Sequence, residues 1–347
     1  MVASNGTKHL SYYIVLKSFS RVQRRTKAIL ALYFLSPVVG EMVSGSSPPS
    51  EFFTAFGLIV LPLLYGGGAL IIRELSVIWG KGWASILVMG LAYGIIEEGL
   101  MVKSFFDPSW VDIGILGEYG RFMGVNWVWT VMLTLFHCVF SIAIPILLVN
   151  LAFPDQAGKR WISEKWLKRL GVVFLANVIV GFLLFTKYFP GPLEYLVAAI
   201  VVILLFVIAH EIPANPLRSD GGLKRPRRFY FLGLLLGSGI LLTGWVVPST
   251  GVHPIMPIVM EVMLAVACLY AALSWSGSGR SWGEKHQLAL ASGALSFLFF
   301  MDLLLLLQGA IEMGVVALFA IAGLIALWWK VATKNANLYQ ASEAQGP

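Results

Sequence analysis

Ten apolar runs, each about as long as a helix needs to cross a bilayer's hydrocarbon, leave this chain few folds other than a membrane bundle. They lie at 28–44, 52–73, 82–104, 127–151, 170–189, 192–212, 229–247, 254–274, 287–307 and 311–330. A backbone in lipid must satisfy its own hydrogen bonds, so a spanning segment is a helix or part of a closed barrel. These runs are continuously apolar and lack the in–out alternation of a barrel strand. Composition agrees: 58% of residues are hydrophobic and 12% charged, about half the charge of a soluble domain. The expected fold is all-α, a polytopic bundle of about ten transmembrane helices over 28–330, multi-pass in the cell membrane. Residues 1–27 read as a basic cytoplasmic segment and 331–347 as a polar cytoplasmic tail. The lipid bilayer is the first partner.

The 25 lysines and arginines test the count. With the N-terminus inside and sides alternating, 22 fall on cytoplasmic segments; only Lys103, Arg121 and Lys187 fall outside. A missed helix would have inverted part of that pattern, so the positive-inside rule supports ten spans with both termini cytoplasmic. The net charge of +7 is then a topology signal, with anionic lipid headgroups as the matching partner. No aromatic-interleaved basic face exists, which argues against nucleic acid. The basic head and apolar run at 28–40 also fit a signal peptide, but the head is long, Glu41 follows and no A-x-A site is present. Cys138 and Cys268 both sit in apolar runs and form no CxxC motif.

The connections differ. Residues 154–169 and 213–228 are basic and broken by Pro and Gly, as plain cytoplasmic links are. The external stretch 105–126, FFDPSWVDIGILGEYGRFMGVN, is aromatic and glycine-rich. It reads as an interfacial loop, or alternatively as a lid over a site.

An ionisable group within a span costs roughly 2.5–3.5 kcal/mol on insertion scales, so each needs a reason. Glu97 and Glu98 are adjacent in the third helix, about 10 Å from its outer end. Neighbours on an α-helix point about 100° apart; Glu98 continues the line of Gly90 and Gly94 and Glu97 that of Tyr93, so at least one of the two is expected to face a packed neighbour. A carboxylate so placed is suited to take a proton from water. The bland reading is a glutamate bonded to a neighbouring helix for assembly. In the fourth helix His137 shares a polar stripe with Thr130, Thr134, Ser141 and Pro145, which argues for an interface or wet cavity rather than lipid. In the eighth, His253, Pro257 and Glu261 read as one face at i, i+4, i+8. Asp302 in the ninth helix and Glu41 in the first also fall in the outer half. Glu97, Glu98 and His137 are therefore the candidate catalytic set, with His253, Glu261, Asp302, Thr134 and Ser141 as candidate binding residues. The sequence names no metal and no cofactor. Arg73–Glu74 and His210–Glu211, at inner helix ends, read as interfacial, with Arg73 snorkelling to headgroups. HEIPAN is not a zinc-protease helix, because Ala214 stands where HExxH needs its second His. Gly66, Gly67 and Gly68 read as close packing or a helix break, not a phosphate loop.

A Glu-Glu pair in one membrane helix followed by a His in the next resembles the type II CAAX prenyl protease and bacteriocin-processing superfamily of intramembrane glutamic proteases. The likeness covers about 60 residues, 83–145. It implies that Glu97 and Glu98 activate water, that His137 positions it, and that the substrate is a membrane peptide. The pattern is incomplete: Val102 occupies the arginine position, with Lys103 one residue late. Leu133 replaces the aromatic before His137, and His253 is followed by Pro257 instead of Asn or Asp. Two other readings stand beside a peptidase or its degenerate relative. Intramembrane Glu, Asp and His also mark proton or cation transporters, and the departures from the motif fit a non-catalytic membrane scaffold.

Overall fold

A computed structural model describes residues 22–214, 222–277 and 282–344, with side chains as far as 334. Nine helices are long and apolar enough to span among the described residues: α2 (Ala55–Ile78), α3 (Trp83–Met101), α4 (Trp127–Ala152), α5 (Glu164–Leu184), α6 (Pro192–Glu211), α7 (Pro226–Trp245), α8 (Ile255–Trp275), α9 (Glu284–Leu307) and α10, whose spanning part is Ile311–Lys334. They are preceded by α1, residues 22–42. Arg24, Arg25, Lys27 and Glu41 make α1 too polar to count by composition, yet it also runs from one end of the bundle to the other. Its start is tied to Asp155 by Arg24 at 3.3 Å. Gly45, just past its end, faces Leu305 and Met313 at the opposite side.

Ten helices therefore alternate between two ends, and contacts between connections show which ends belong together. At one end Lys81 Nζ donates to Ile212 O (2.9 Å) and Lys330 Nζ to Ala152 O (2.6 Å). At the other, Ser50 Oγ donates to Glu312 (3.0 Å), Lys103 Nζ to Phe182 O (2.6 Å), and the Tyr119 hydroxyl to Val252 O (2.8 Å). The first end carries the basic connections and is the cytoplasmic one by the positive-inside rule. Residues 1–21 lie outside the described part. Helix α1 already begins within the stretch read as an N-terminal segment, and α10 continues through Ala344, past the predicted span end at 330.

The helices differ in depth of burial. About two-thirds of the apolar stretch of α2 and α4 is buried (67% each) and 61% of α3, against 17% for α5 and 11% for α6. Helices α2–α4 are thus the protein-lined interior, and α5 and α6 present Leu175, Leu183, Leu196 and Ile203 outward, as lipid-facing helices do. On the far side α7 and α9 pack closely because Gly233 and Gly293 place bare backbone against the opposite helix: a side chain on Gly233 would meet Leu290 O, and one on Gly293 would meet Tyr230 O.

Two connections are locked rather than loose. Arg73 and Glu74 are not interfacial, contrary to the snorkelling expectation. Both are buried and paired with each other. The Arg73 guanidinium stacks on Trp161 at 3.6 Å and donates to Gln156 O (3.0 Å), while Glu74 accepts from the backbone N–H of Trp161 (3.1 Å) and Ile162 (3.2 Å). The following chain satisfies both groups, so neither needs headgroups. His210–Glu211 does remain exposed, paired at 2.9 Å. The external stretch folds back over the outer end of α3 and α4. It holds a 3-10 turn (Gly114–Gly117) and a small hairpin, β1 (Arg121–Phe122) with β2 (Val125–Asn126), in register Arg121↔Asn126. Met123 and Gly124 turn it with positive φ of 50° and 74°, the two-residue turn that suits a hairpin's twist. Asn126 binds the stretch to α4: its Oδ1 caps the helix at Trp129 N (2.9 Å), and its Nδ2 donates to Leu116 O and Tyr119 O.

Candidate active site

Four helices of the interior each depart from α-geometry once, by a π-helical turn: Val38–Met42 in α1, Pro62–Gly66 in α2, Ile95–Met101 in α3 and His137–Ala143 in α4. The i→i+5 bonds Val43 N→Val38 O and Val102 N→Glu97 O (2.8 and 2.9 Å) mark two of them. Such a turn holds one extra residue and re-aims the side chains on it, and π-turns are frequent at functional sites. Here each carries a polar group of one cluster: Glu41, Tyr65, the pair Glu97 and Glu98, and His137 with Ser141.

The imidazole of His137 is the centre. Its Nε2 lies 2.9 Å from Glu98 Oε1, and its Nδ1 lies 3.1 Å from Glu97 Oε2 and 2.9 Å from Ser141 Oγ. Ser104 donates to the other Glu98 oxygen and in turn accepts from Trp129 Nε1 at 3.0 Å. Glu98 thus has both oxygens engaged. Glu97 Oε2 is buried without a hydrogen-bond partner. Glu41 accepts from the Tyr65 hydroxyl and from Ser47 Oγ (2.6 Å), and it interacts electrostatically with His137 and Glu98. Tyr65 and Tyr93 wall the imidazole, with ring centroids 6.0 and 6.3 Å from it. The Glu98 side chain is 12% exposed, against 4% for His137 and Glu97, and Glu41 is only partly buried. An imidazole between two carboxylates can pass a proton from one to the other, which is acid–base chemistry in a water-poor interior.

A model of an uncharacterized membrane protein family matches residues 30–338, most of the chain. The chain belongs to that family. The match runs through all four site-bearing helices, so the cluster lies inside the family's own region. An uncharacterized protein of Archaeoglobus fulgidus is 27% identical over 128 residues, which is 37% of this chain and 39% of that protein. The similarity therefore spans about two-fifths of that relative's length. No solved structure matches.

The sequence expectations meet the geometry unevenly. Glu97, Glu98, His137 and Ser141 come together. The sequence places at least one glutamate of the pair against a neighbouring helix. Both reach His137, because their π-turn re-aims them and the ring stands between them with one nitrogen toward each. Thr134 does not join the cluster. Its hydroxyl has no partner, and its backbone packs against Gly94. His253 is also excluded: it is exposed, lies before the first residue of α8, Ile255, and accepts from Ile255 N at 3.3 Å. Without a helix at 253 the i, i+4, i+8 face with Pro257 and Glu261 does not exist. Glu261 and Asp302 are buried, but no hydrogen bond joins them to the Glu–His cluster among the described residues. Both Glu261 oxygens are unpartnered, beside Gly244. Lys103 does not stand in for an arginine, since its ammonium is turned to the carbonyls of Phe182 and Thr186. Tyr65, Ser104 and the role of Glu41 were outside the sequence reading. Glu41 had a signal, a carboxylate at the right depth. Tyr65 had none, because an aromatic in an apolar helix reads as packing.

Proposed function

We propose that this protein is an intramembrane hydrolase in which Glu97, Glu98 and His137 activate water against an amide bond of a membrane peptide. The observation that carries the reading is the imidazole of α4 held between two adjacent carboxylates of α3, at 2.9 and 3.1 Å. The resemblance to the glutamic intramembrane proteases points the same way.

The roles follow from what each oxygen already does. Glu98, bonded through both oxygens, fixes the imidazole. Glu97 Oε2, free of a donor, is the base. It takes a proton from water as the water oxygen bonds to the amide carbon. The carbonyl π pair moves onto oxygen, where the Tyr93 hydroxyl beside Glu97 is the available donor. The carbon–nitrogen bond then breaks, and His137 relays a proton to the departing nitrogen. The products are a carboxylic acid and an amine, with one water consumed.

The test uses the full chain in proteoliposomes with a panel of single-span peptides, and mass spectrometry reads new termini. Glu97→Gln and Glu98→Gln should each lower cleavage by roughly 10²–10⁴-fold, the usual worth of a positioned acid–base group. Cleavage that persists in both single variants and the double ends the proposal. So does proton or cation flux, blocked by the same substitutions, with no cleavage of any peptide; that outcome would assign the site to transport.

A further inference from the structure

The cluster holds three carboxyl groups against one potential cation. Glu41, Glu97 and Glu98 surround one imidazole, and among the described residues the ion pairs of Glu97 and Glu98 are with His137 alone. The nearest lysine in sequence, Lys103, is spent on Phe182 and Thr186. Val102, where an arginine could have reached in, is apolar. Three carboxylates out of water with one potential cation are costly unless protons or a metal compensate.

The donor geometry favours a metal. One donor atom each from Glu97, Glu98 and His137 lie within 4.8 Å of one another. Ligands bound to one ion at about 2.0–2.4 Å are separated by no more than roughly 4–4.8 Å, even when opposite each other. Two further observations point into the same space. Glu97 Oε2 is buried with no hydrogen-bond partner although it lies 3.1 Å from His137 Nδ1. That separation is also the spacing of neighbouring ligands around an ion. The Glu98 carboxylate is held in place as metal ligands usually are, by a hydrogen bond behind it from Ser104.

We infer that Glu97, Glu98 and His137 form a binding site for one divalent transition-metal ion of the zinc class. One imidazole and two carboxylates leave a position open for water, the pattern of a catalytic rather than a structural zinc site. The inference rests on the hydrolytic reading for its purpose and on the donor set for its existence; with the ion bound, Glu97 would be a ligand, and the activation of water assigned to it above would pass to the ion. Glu41 stands behind the site, bonded to the Tyr65 hydroxyl.

The experiment measures metal on the purified full chain in detergent. The protein is stripped with chelator, exposed to Zn²⁺, Co²⁺ or Mn²⁺ separately, desalted and assayed by elemental analysis; the Co²⁺ form is also examined for visible ligand-field bands. Wild type should retain on the order of one ion per chain, with bands in the Co²⁺ form. Glu97→Gln, Glu98→Gln and His137→Asn should weaken retention by at least about 100-fold, whereas Glu261→Gln, a buried carboxylate outside the cluster, should not. Thermal unfolding of each variant separates lost ligation from lost fold, and the near-isosteric glutamines keep the test sound if His137→Asn misfolds. A stripped wild type that takes up no ion overturns the inference, as does full retention in the glutamine variants. Stripped protein that still cleaves peptides overturns the metal site and leaves the hydrolase. Metal-loaded protein that cleaves nothing does the reverse.

Discussion

Gly94→Ala tests the packing that brings His137 to the glutamates. Helices α3 and α4 cross at Gly90 and Gly94. A methyl on Gly94 would stand 2.9 Å from Thr134 Cα, 3.1 Å from Thr134 O and 3.4 Å from His137 Cβ. Carbon atoms in good contact sit about 3.5–4.0 Å apart, so the helices must part by roughly 0.6–1 Å. The opposing atoms at Thr134 are backbone and cannot rotate aside. Overpacking of this kind costs about 1–3 kcal/mol, against a gain of about 0.5–1 kcal/mol from replacing a helical glycine. Gly171→Ala supplies the control, since nothing lies within 4 Å of its added methyl and it keeps the propensity gain alone. The difference between the two variants, measured by unfolding in mixed detergent–SDS micelles, should therefore be about 1–3 kcal/mol with Gly94→Ala the weaker. The same displacement carries His137 with it, so the Glu–His contacts loosen as well. Equal stability of the two variants would refute the close approach of α3 and α4, and with it the positioning of the imidazole.

Glu74→Ala leaves Arg73 buried with its partner gone and strips acceptors from Trp161 and Ile162 N–H; it should destabilise by about 3–5 kcal/mol, read in the same unfolding assay, and Arg73→Met with Glu74→Met together should recover part of that loss. Asn126→Ala removes an N-cap worth about 1 kcal/mol and two bonds to carbonyls of the outer stretch. Limited proteolysis between 108 and 124 should quicken while the helices keep their helical circular dichroism. His253→Ala should leave both metal retention and peptide cleavage at wild-type levels, and a loss of either would return His253 to the site.

Hydropathy and the distribution of lysine and arginine carry the helix count because both are sums over many residues. The first helix shows where a sum falls short. Its basic head and Glu41 lower its hydropathy, yet it crosses the bundle because one face (Ala28, Leu32, Ser36, Val39) is buried against protein. The catalytic candidates Glu97, Glu98 and His137 were legible because each is expensive in lipid and so draws notice singly. How they meet was not legible. An ideal 100° step separates Glu97 from Glu98, and only the π-turn over Ile95–Met101 brings both onto one ring. No composition rule announces a π-turn. His253 failed for the opposite reason: the helical spacing to Glu261 was applied across residues that precede the helix. Arg73 failed because a charged group near a helix end can be satisfied by lipid headgroups or by a folded connection, and sequence does not say which.

The most direct measurement is the separation between the His137 imidazole nitrogens and the glutamate carboxyl carbons, by ¹⁵N–¹³C dipolar recoupling in bilayers, with His137 assigned by loss of its signal in His137→Asn. Contacts of 2.9 and 3.1 Å from nitrogen to oxygen place each nitrogen about 3.5–4 Å from a carboxyl carbon, so strong dephasing is expected at both nitrogens, one lost in Glu98→Gln and the other in Glu97→Gln. Dephasing at neither nitrogen, or dephasing unchanged by both substitutions, would contradict a histidine held between the two glutamates.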